Sequence, residues 1–515
     1  LQSAPSKGSK DAPYNLADPN GTPNSIVCTA NCYMVDAPGW YIFPLVYGNA
    51  IHNGIDNKSS YTYTGGSTGD NILSVFRNHL NKPITSPYIK KNEGCNPTNA
   101  YFVWQDVNDL LRPSYTWESE PHDESPTYLP DAYDGKGGIR FYVGANIKQG
   151  NAIIAISDKA PEKVNDGTWR VIYPNAIWSW HIWVTRLDVE DSDKTIKVTA
   201  HDTNRKFEFM PMNLGWCSED GEEIKYYKER ECEVQFISGN KIQTIKIVKK
   251  SHMAFTRGNN PYYQWGRKEP FGGRTEDRVN KKRWNYIGYD VNDNPPLLTG
   301  YFDDSKLTTR AALHLLIQKP DTWHNPPRTT GTGGHDFDSD NKTYANLWEG
   351  RPGTDPSAQI LKTIYDPCPV GYQVSHYNAF TGFTTTGNNT DYSPEWYDVR
   401  VENIADYDET TQSCGIYSDN LYEFYTNPDK YQSIIFPQTG YRDWNSYADV
   451  YHLDKIGYVW AAGNVKNDDN NSYNFEFSRM DEGSNSYVRP KNTFYPCDGF
   501  PVRPVRNGNH GINTP

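Results

Sequence analysis

The sequence predicts a mainly β protein with an α+β C-terminal part, on three observations. Hydrophobic residues make up only 36% of the chain while aromatics reach 14%, with 38 Tyr and 15 Trp, so large amphipathic rings must fill much of the core. Gly (40) and Pro (35) recur with Asn and Asp between short apolar runs, the punctuation of strands joined by turns. At 515 residues the chain exceeds one ordinary core, so two or three domains are expected.

Taken in order, residues 1–24 (opening LQSAPSKGSKDAP) read as a flexible N-terminal stem. Short strands then follow at Ile26–Val35, Tyr41–Val46, Ala100–Trp104, Ile139–Val143, Ala152–Ser157 and Ile177–Thr185, and predict an antiparallel β-sandwich over 25–200. In the last of these, alternation sends Trp178 and Trp180 to one face and His181 and Trp183 to the other, as in a core strand between layers. One helix is expected inside the sandwich, with Asp70 as N-cap, Ile72, Phe76 and Leu80 on one face, and Pro83 ending it.

Strands continue through Thr195–Ala200. A hairpin of Cys232–Ile237 and Ile242–Val248 is joined at Ser238-Gly239-Asn240-Lys241. Asp304 can cap a second helix whose Leu313, Leu316 and Ile317 face a core before Pro320 stops it. Long polar loops then alternate with short aromatic strands up to Arg506. The domain boundary is expected near 190–205, with a second domain over 201–508, a tail at 509–515 and no internal repeat.

A net charge of −12, a pI near 5.5 and the lack of a Lys/Arg stripe disfavour nucleic acid and anionic membrane surfaces as partners. Mean hydropathy is −0.80. The longest strongly apolar run, IWSWHIWV at Ile177–Val184, is far below the roughly 18 residues of a membrane helix, so no transmembrane segment is expected. The polar, Pro-containing start has the character of a mature exported chain, with a signal peptide and a lipid-bearing Cys expected before Leu1.

Several motifs suggest chemistry. Gly65-Gly66-Ser67-Thr68-Gly69 matches G-x-S-x-G, but that nucleophile elbow needs a parallel α/β sheet, so a flexible turn is the reading here. Asp336, Asp338 and Asp340 have the alternate spacing of a calcium loop, although Asn341 and Leu347 stand where an EF-hand needs Gly and Glu. Either a divergent site for structural calcium or a solvated acidic loop fits. Gly331-Thr332-Gly333-Gly334-His335 lacks the Lys-Ser/Thr of a phosphate cradle, and His314, His324 and His335 lack the spacing of a zinc-hydrolase helix. Cys28 and Cys32 find no second ligand pair. Tyr441, Arg442, Trp444 and Tyr447 follow the strand ending at Phe436 and are candidate ligand-binding residues: they either stack on a sugar ring or brace the turn. No catalytic residue is assigned.

Eight cysteines permit disulfides in an exported chain but are too sparse for a disulfide scaffold. Cys368 with Cys497 and Cys217 with Cys232 are the candidate pairs; buried free thiols are the alternative.

Four segments near the C-terminus stand out: Tyr365-Asp366-Pro367-Cys368-Pro369-Val370-Gly371-Tyr372, Phe436-Pro437-Gln438-Thr439-Gly440-Tyr441-Arg442, Gly457-Tyr458-Val459-Trp460 and Gly499-Phe500-Pro501-Val502-Arg503-Pro504-Val505-Arg506. With Ala30-Asn31-Cys32-Tyr33-Met34-Val35, Gly150-Asn151-Ala152, Trp178-Ser179-Trp180-His181-Ile182-Trp183, Asn213-Leu214-Gly215, Tyr262-Tyr263-Gln264-Trp265-Gly266-Arg267-Lys268-Glu269-Pro270-Phe271 and Asn346-Leu347-Trp348, they make the chain resemble the FISUMP, or major paralogous domain, surface proteins of gut anaerobes, often grouped with fimbrillin-type adhesins. The resemblance spans roughly 26–508. It implies a β-sandwich followed by a loop-rich domain similar to C-type-lectin-like and sulfatase-modifying-factor folds, exported to the cell surface. Two departures are Met210-Pro211-Met212-Asn213, where the family more often has Met-Asp-Arg-Asn, and an inserted hairpin at 217–248.

The expected function is a non-catalytic surface adhesin or recognition protein that binds a glycan or protein, at a pilus tip or on an outer-membrane lipid anchor. An accessory lipoprotein docking on an outer-membrane transporter or assembly complex is the alternative. An enzyme, either a glycan hydrolase needing two carboxylates at fixed separation or an oxidase by fold analogy, is the third reading.

Overall fold

The computed structural model describes residues 1–63, 72–107, 110–111, 125–165, 169–187, 195–218, 225–227, 230–249, 252–254, 258–273, 282–284, 290–292, 301–302, 309–324, 343–350, 360–384, 386–389, 407–408, 413–414, 421–425, 433–444, 450–464, 471–478 and 487–507. Their regular structure is mainly β, divided among several separate sheets.

The central strand is Trp178–Val184, buried along its whole length. It pairs antiparallel with Gly150–Ser157 and parallel with Cys32–Val35. Such a near-continuous apolar run is what a strand covered on both faces requires. On one side, Trp180 lies 5.1 Å from Phe43 of a second sheet formed by Tyr14–Asn15, Gly39–Pro44, Gly138–Val143 and Thr127–Leu129. The C-terminal half covers it elsewhere: the Trp183 indole donates to the Trp216 carbonyl at 3.0 Å, and Tyr365 stacks on Trp178 at 5.8 Å.

One hydrophobic core accordingly runs from Leu1 to Val502 and crosses the boundary expected near residue 200. The central sheet also takes strands from beyond it, with Lys282–Trp284 joining Asn99–Gln105 through Trp284 opposite Gln105. A second core packs phenylalanines, among them Phe209, Phe380, Phe436, Phe475 and Phe477, around a three-stranded sheet of Ile456–Asn464, Ser472–Ser478 and Tyr487–Phe494. Phe380 and Phe475 stack at 4.8 Å.

Three local expectations are corrected. Residues 1–24 are not a free stem: Tyr14 and Asn15 add a parallel strand beside Tyr41 and Ile42, and the buried Asn15 amide donates to the Thr22 and Ser25 carbonyls, each at 2.6 Å. The predominantly antiparallel N-terminal half therefore has two parallel pairings, each made by an early segment. The expected helix over Ile72–Leu80 is not formed. Val75 bridges Thr62, Arg77 bridges Pro83, and the Asn78 side chain accepts from the Leu80 and Lys82 amides at 2.9 and 3.0 Å, a local turn that competes with helix. Its proposed cap, Asp70, lies outside the described residues.

The second helix forms at Thr309–Gln318 with Leu313, Leu316 and Ile317 buried. Arg267 ties down its C-terminal end: the guanidinium donates to the carbonyl of Leu316 in the last turn and to those of Lys319, Pro320 and Thr322 just beyond it, at 3.4, 3.2, 3.3 and 2.6 Å. The hairpin is Arg230–Ser238 with Lys241–Lys249. Gly239, at φ +61°, takes the first loop position, where a two-residue turn favours glycine.

Candidate functional site

The distinctive motif residues are buried ties between segments distant in sequence. Asn31 donates to the Ile364 and Asp366 carbonyls at 2.6 and 2.8 Å and accepts from the Trp178 indole at 3.1 Å. Asp366 accepts from the Cys368 and Val374 amides, both at 2.8 Å, which shapes the Tyr365–Tyr372 turn. Arg503, fully buried, donates to Asn213 Oδ1 at 2.8 Å and to the carbonyls of Met210, Pro211 and Ile435 at 3.3, 2.9 and 2.8 Å. Its guanidinium lies 4.2 Å from the Phe436 ring centre.

Three clusters of nucleophilic and titratable groups are likewise enclosed. Ser179 Oγ donates to Glu269 Oε1 at 2.7 Å and accepts from Lys268 Nζ at 2.7 Å, while Lys268 also contacts Glu269 directly. All three are buried, and burial pushes the Lys268 amine down to about 8. This closed triangle ties the central strand to the Tyr262–Phe271 motif. Cys95 has His79 Nδ1 at 3.9 Å, Tyr47 Oη at 3.4 Å and Asn78 Nδ2 at 3.5 Å. Desolvation raises its thiol pKa and lowers that of His79 to about 4, the reverse of an activated thiolate–imidazolium couple. His181 Nε2 meets Asn151 Oδ1 at 2.9 Å, and Asn151 Nδ2 donates to Asp106 Oδ2 at 2.8 Å. Burial holds His181 near 3 and raises Asp106 to about 6.

The predicted aromatic platform divides. Arg442 is fully buried, donates to the Gly272 carbonyl at 2.7 Å and lies 5.3 Å from the Tyr262 ring centre. Trp444 is buried and its amide donates to Asp498 Oδ1 at 2.9 Å. Neither presents a face to solvent. Tyr441 is half-buried against Tyr458, Phe494 and Phe500 at 5.2, 5.3 and 5.9 Å. Tyr447 lies outside the described residues.

What Tyr441 supports is exposed. Opposite it across the strand pair stands Tyr451, 41% exposed, with its ring 6.2 Å away; the exposed His452 ring stacks on Tyr441 at 6.0 Å. The corner turns through two left-handed non-glycine residues, His452 at φ 54° and Asp454 at φ 66°. The surroundings hold this strain: the His452 carbonyl accepts from Lys455 and Ile456, both at 3.1 Å, and Asp454 N donates to Gln438 O at 3.0 Å. A Cβ on Gly440 (φ +62°) would lie 2.2 Å from the Tyr451 carbonyl, which locks the facing turn against this one. Sequence reasoning missed Tyr451 and His452. Val450–Leu453 reads V-Y-H-L, in which no apolar–polar alternation marks them.

Both candidate disulfides are corrected. Cys217 is a free buried thiol 3.3 Å from Asn151 Nδ2, whereas Cys232 is free and exposed on the hairpin. Cys368 and Cys497 are also free and buried, each held in its own turn. Asp336, Asp338, Asp340, His335 and the Gly65–Gly69 run lie outside the described residues. His314 is half-buried on the helix and His324 is buried in the short strand Trp323–His324. Among the described residues no helix is long and apolar enough to cross a membrane. No protein-family model, curated protein or solved structure matches the chain.

Proposed function

We propose that this chain is a non-catalytic recognition protein of the cell surface that binds a glycan at the Tyr451–His452 corner. The observation that carries the reading is two exposed rings on a strained, hydrogen-bonded turn, backed by the partly buried Tyr441–Tyr458–Phe494–Phe500 cluster. Rigid aromatic faces stack on the apolar face of a sugar ring at little entropic cost. Ser179, Cys95 and Lys268 are used in buried packing, which favours recognition over turnover. The resemblance to FISUMP and fimbrillin-type proteins supports an exported chain held at the outer membrane or a pilus. In the same reading, the two facing sheets form the sandwich and the phenylalanine-rich half the lectin-like domain.

A glycan array probed with the purified chain tests this. Tyr451→Ala with His452→Ala is expected to abolish the signal while the unfolding transition stays in place. Retained binding by that variant, or substrate turnover by the wild type, overturns the reading. Co-purification with an outer-membrane transporter and an empty array would favour the accessory-lipoprotein alternative.

A further inference from the structure

The hairpin is unlike the rest of the molecule. Among the described residues its two strands join no other sheet. Alternation sets Cys232, Val234, Phe236, Ile245 and Ile247 on one face with Gln243, and Glu231, Glu233, Gln235, Thr244 and Lys246 on the other with Ile237, Ile242 and Val248. Glu231 and Lys246 form an ion pair at 2.7 Å on the polar face. The apolar face is left open, with Phe236 56%, Ile245 43% and Ile247 52% exposed; Ile237 and Ile242, at the tip of the opposite face, are 67% and 64% exposed. A lone two-stranded ribbon is marginal in water, and a long free edge offers unpaired backbone groups to another strand.

We propose that this hairpin is a self-association arm: the outer edge of Arg230–Ser238 pairs antiparallel with the same strand of a second copy, about a two-fold axis at Val234. The inference stands apart from the ligand proposed above. A two-residue loop closes on the hydrogen-bonded pair Ser238–Lys241, so alternation turns the backbone groups of Glu231, Glu233, Gln235 and Ile237 outward. Full overlap of the strand places Val234 opposite Val234 of the second copy, Cys232 opposite Phe236, Glu233 opposite Gln235, Glu231 opposite Ile237 and Arg230 opposite Ser238. No like charges meet, the apolar faces are continuous, and about eight ladder hydrogen bonds form. Val234 and Phe236 also gain apolar cross-strand neighbours.

Charge disfavours the registers shifted away from the hairpin tip, and those shifted toward the tip, with axes at Gln235 or Phe236, lose strand overlap. An axis at Glu233 opposes that residue to itself, and one at Cys232 opposes Glu231 to Glu233. The equivalent pairing of Lys241–Lys249 sets Lys241 against Lys249 at both ends. Pairing the first strand with the second strand of another copy leaves edges free and does not close. The selected register joins two copies into a closed four-stranded sheet.

The full-length chain tests this by size-exclusion chromatography with light scattering, across a concentration series. The wild type is expected to become dimeric as concentration rises, and Val234→Lys, which sets two like charges together at the axis, to raise the dimer Kd by about tenfold or more. Disulfide trapping reads the register independently. Val234→Cys with Cys232→Ser is expected to give a covalent dimer under mild oxidation. The wild-type Cys232 is expected not to, because its copies lie four residues out of register, about 14 Å along the strand. A wild type that stays monomeric, a dimer indifferent to Val234→Lys, or cross-linking at 232 in place of 234 overturns the proposal. So does sedimentation of the monomer with phosphatidylglycerol vesicles that Val234→Lys abolishes, which would assign the face to lipid. Far-UV circular dichroism of each variant checks that the body remains folded.

Discussion

Arg503 adjoins a short strand and Phe236 lies within one, yet one is sealed in the centre of the molecule and the other stands in water. Arg503 reaches four acceptors from two distant segments and lies over an aromatic ring. Phe236 has the side-chain chemistry of a core residue and more than half its surface exposed. Distinctiveness in sequence therefore does not mark the reactive or binding part of this protein. The charged motif residues are structural, because a guanidinium is the side chain that can bond several carbonyls at once in one plane. The exposed hairpin carries the plainest of patterns. Energetically, the first region should dominate the stability of the fold and the second should contribute little to it.

The largest effect is expected at Arg503. Arg503→Leu leaves Asn213 and the carbonyls of Met210, Pro211 and Ile435 without their donor, each lost partner costing about 1–3 kcal/mol, partly offset because no charge is then desolvated. A net loss of about 3 kcal/mol in urea unfolding is expected, and Arg503→Lys should recover only a minority of it because an ammonium lacks the planar fork. A loss below about 0.5 kcal/mol would break the comparison at its buried end.

How much of this was legible in the sequence follows from where each competing interaction is written. The strand Trp178–Val184 was readable because its apolar run has no other use, and the helix Thr309–Gln318 because its Leu313, Leu316 and Ile317 spacing met no competitor. Ile72, Phe76 and Leu80 have the same helical spacing, but Asn78 captures the backbone locally and Asn81 adopts φ 59°. Composition made the first 24 residues look like linker, while the ties that order them are backbone pairing beside Tyr41–Ile42 and one buried side chain, Asn15. The aromatic site was half legible. Tyr441 is where the rings converge, but whether Trp444 or Tyr451 faces solvent depends on the Gly440 and His452 turns, which no periodicity encodes.

A smaller effect is expected at His181, and its sign is fixed by geometry. Nε2 faces Asn151 Oδ1 and carries the proton, while Nδ1 has no partner in its buried setting. The folded chain therefore resists a second proton down to about pH 3, whereas the unfolded chain accepts it near 6.5. Stability from this group is complete above pH 6.5 and falls as pH falls, by about 2 kcal/mol at pH 5. Asp106, raised to about 6, works in the opposite direction, taking its proton in the folded state first and stabilising it below that pH. The difference between wild type and His181→Gln isolates the imidazole: the variant should lose less stability between pH 7 and pH 5. Parallel pH profiles would show that the ring is not buried as a neutral tautomer.

The smallest effect is expected where the sequence looks most like core. Replacing Arg230–Lys249 with a short Gly-Ser linker removes Phe236, Ile237, Ile242, Ile245 and Ile247, which in an ordinary core would each be worth about 1.5–3 kcal/mol. Because these side chains are 43–67% exposed and the two strands pair only with each other, excision should change the monomer's unfolding free energy by less than about 1 kcal/mol, within the uncertainty of denaturant extrapolation. The measurement belongs at low protein concentration, where association through the arm contributes nothing by mass action. A loss of several kcal/mol would mean that the hairpin packs on the body in solution and that its apolar face is already covered. A near-zero change would mean that the face is maintained for contact with something outside the monomer.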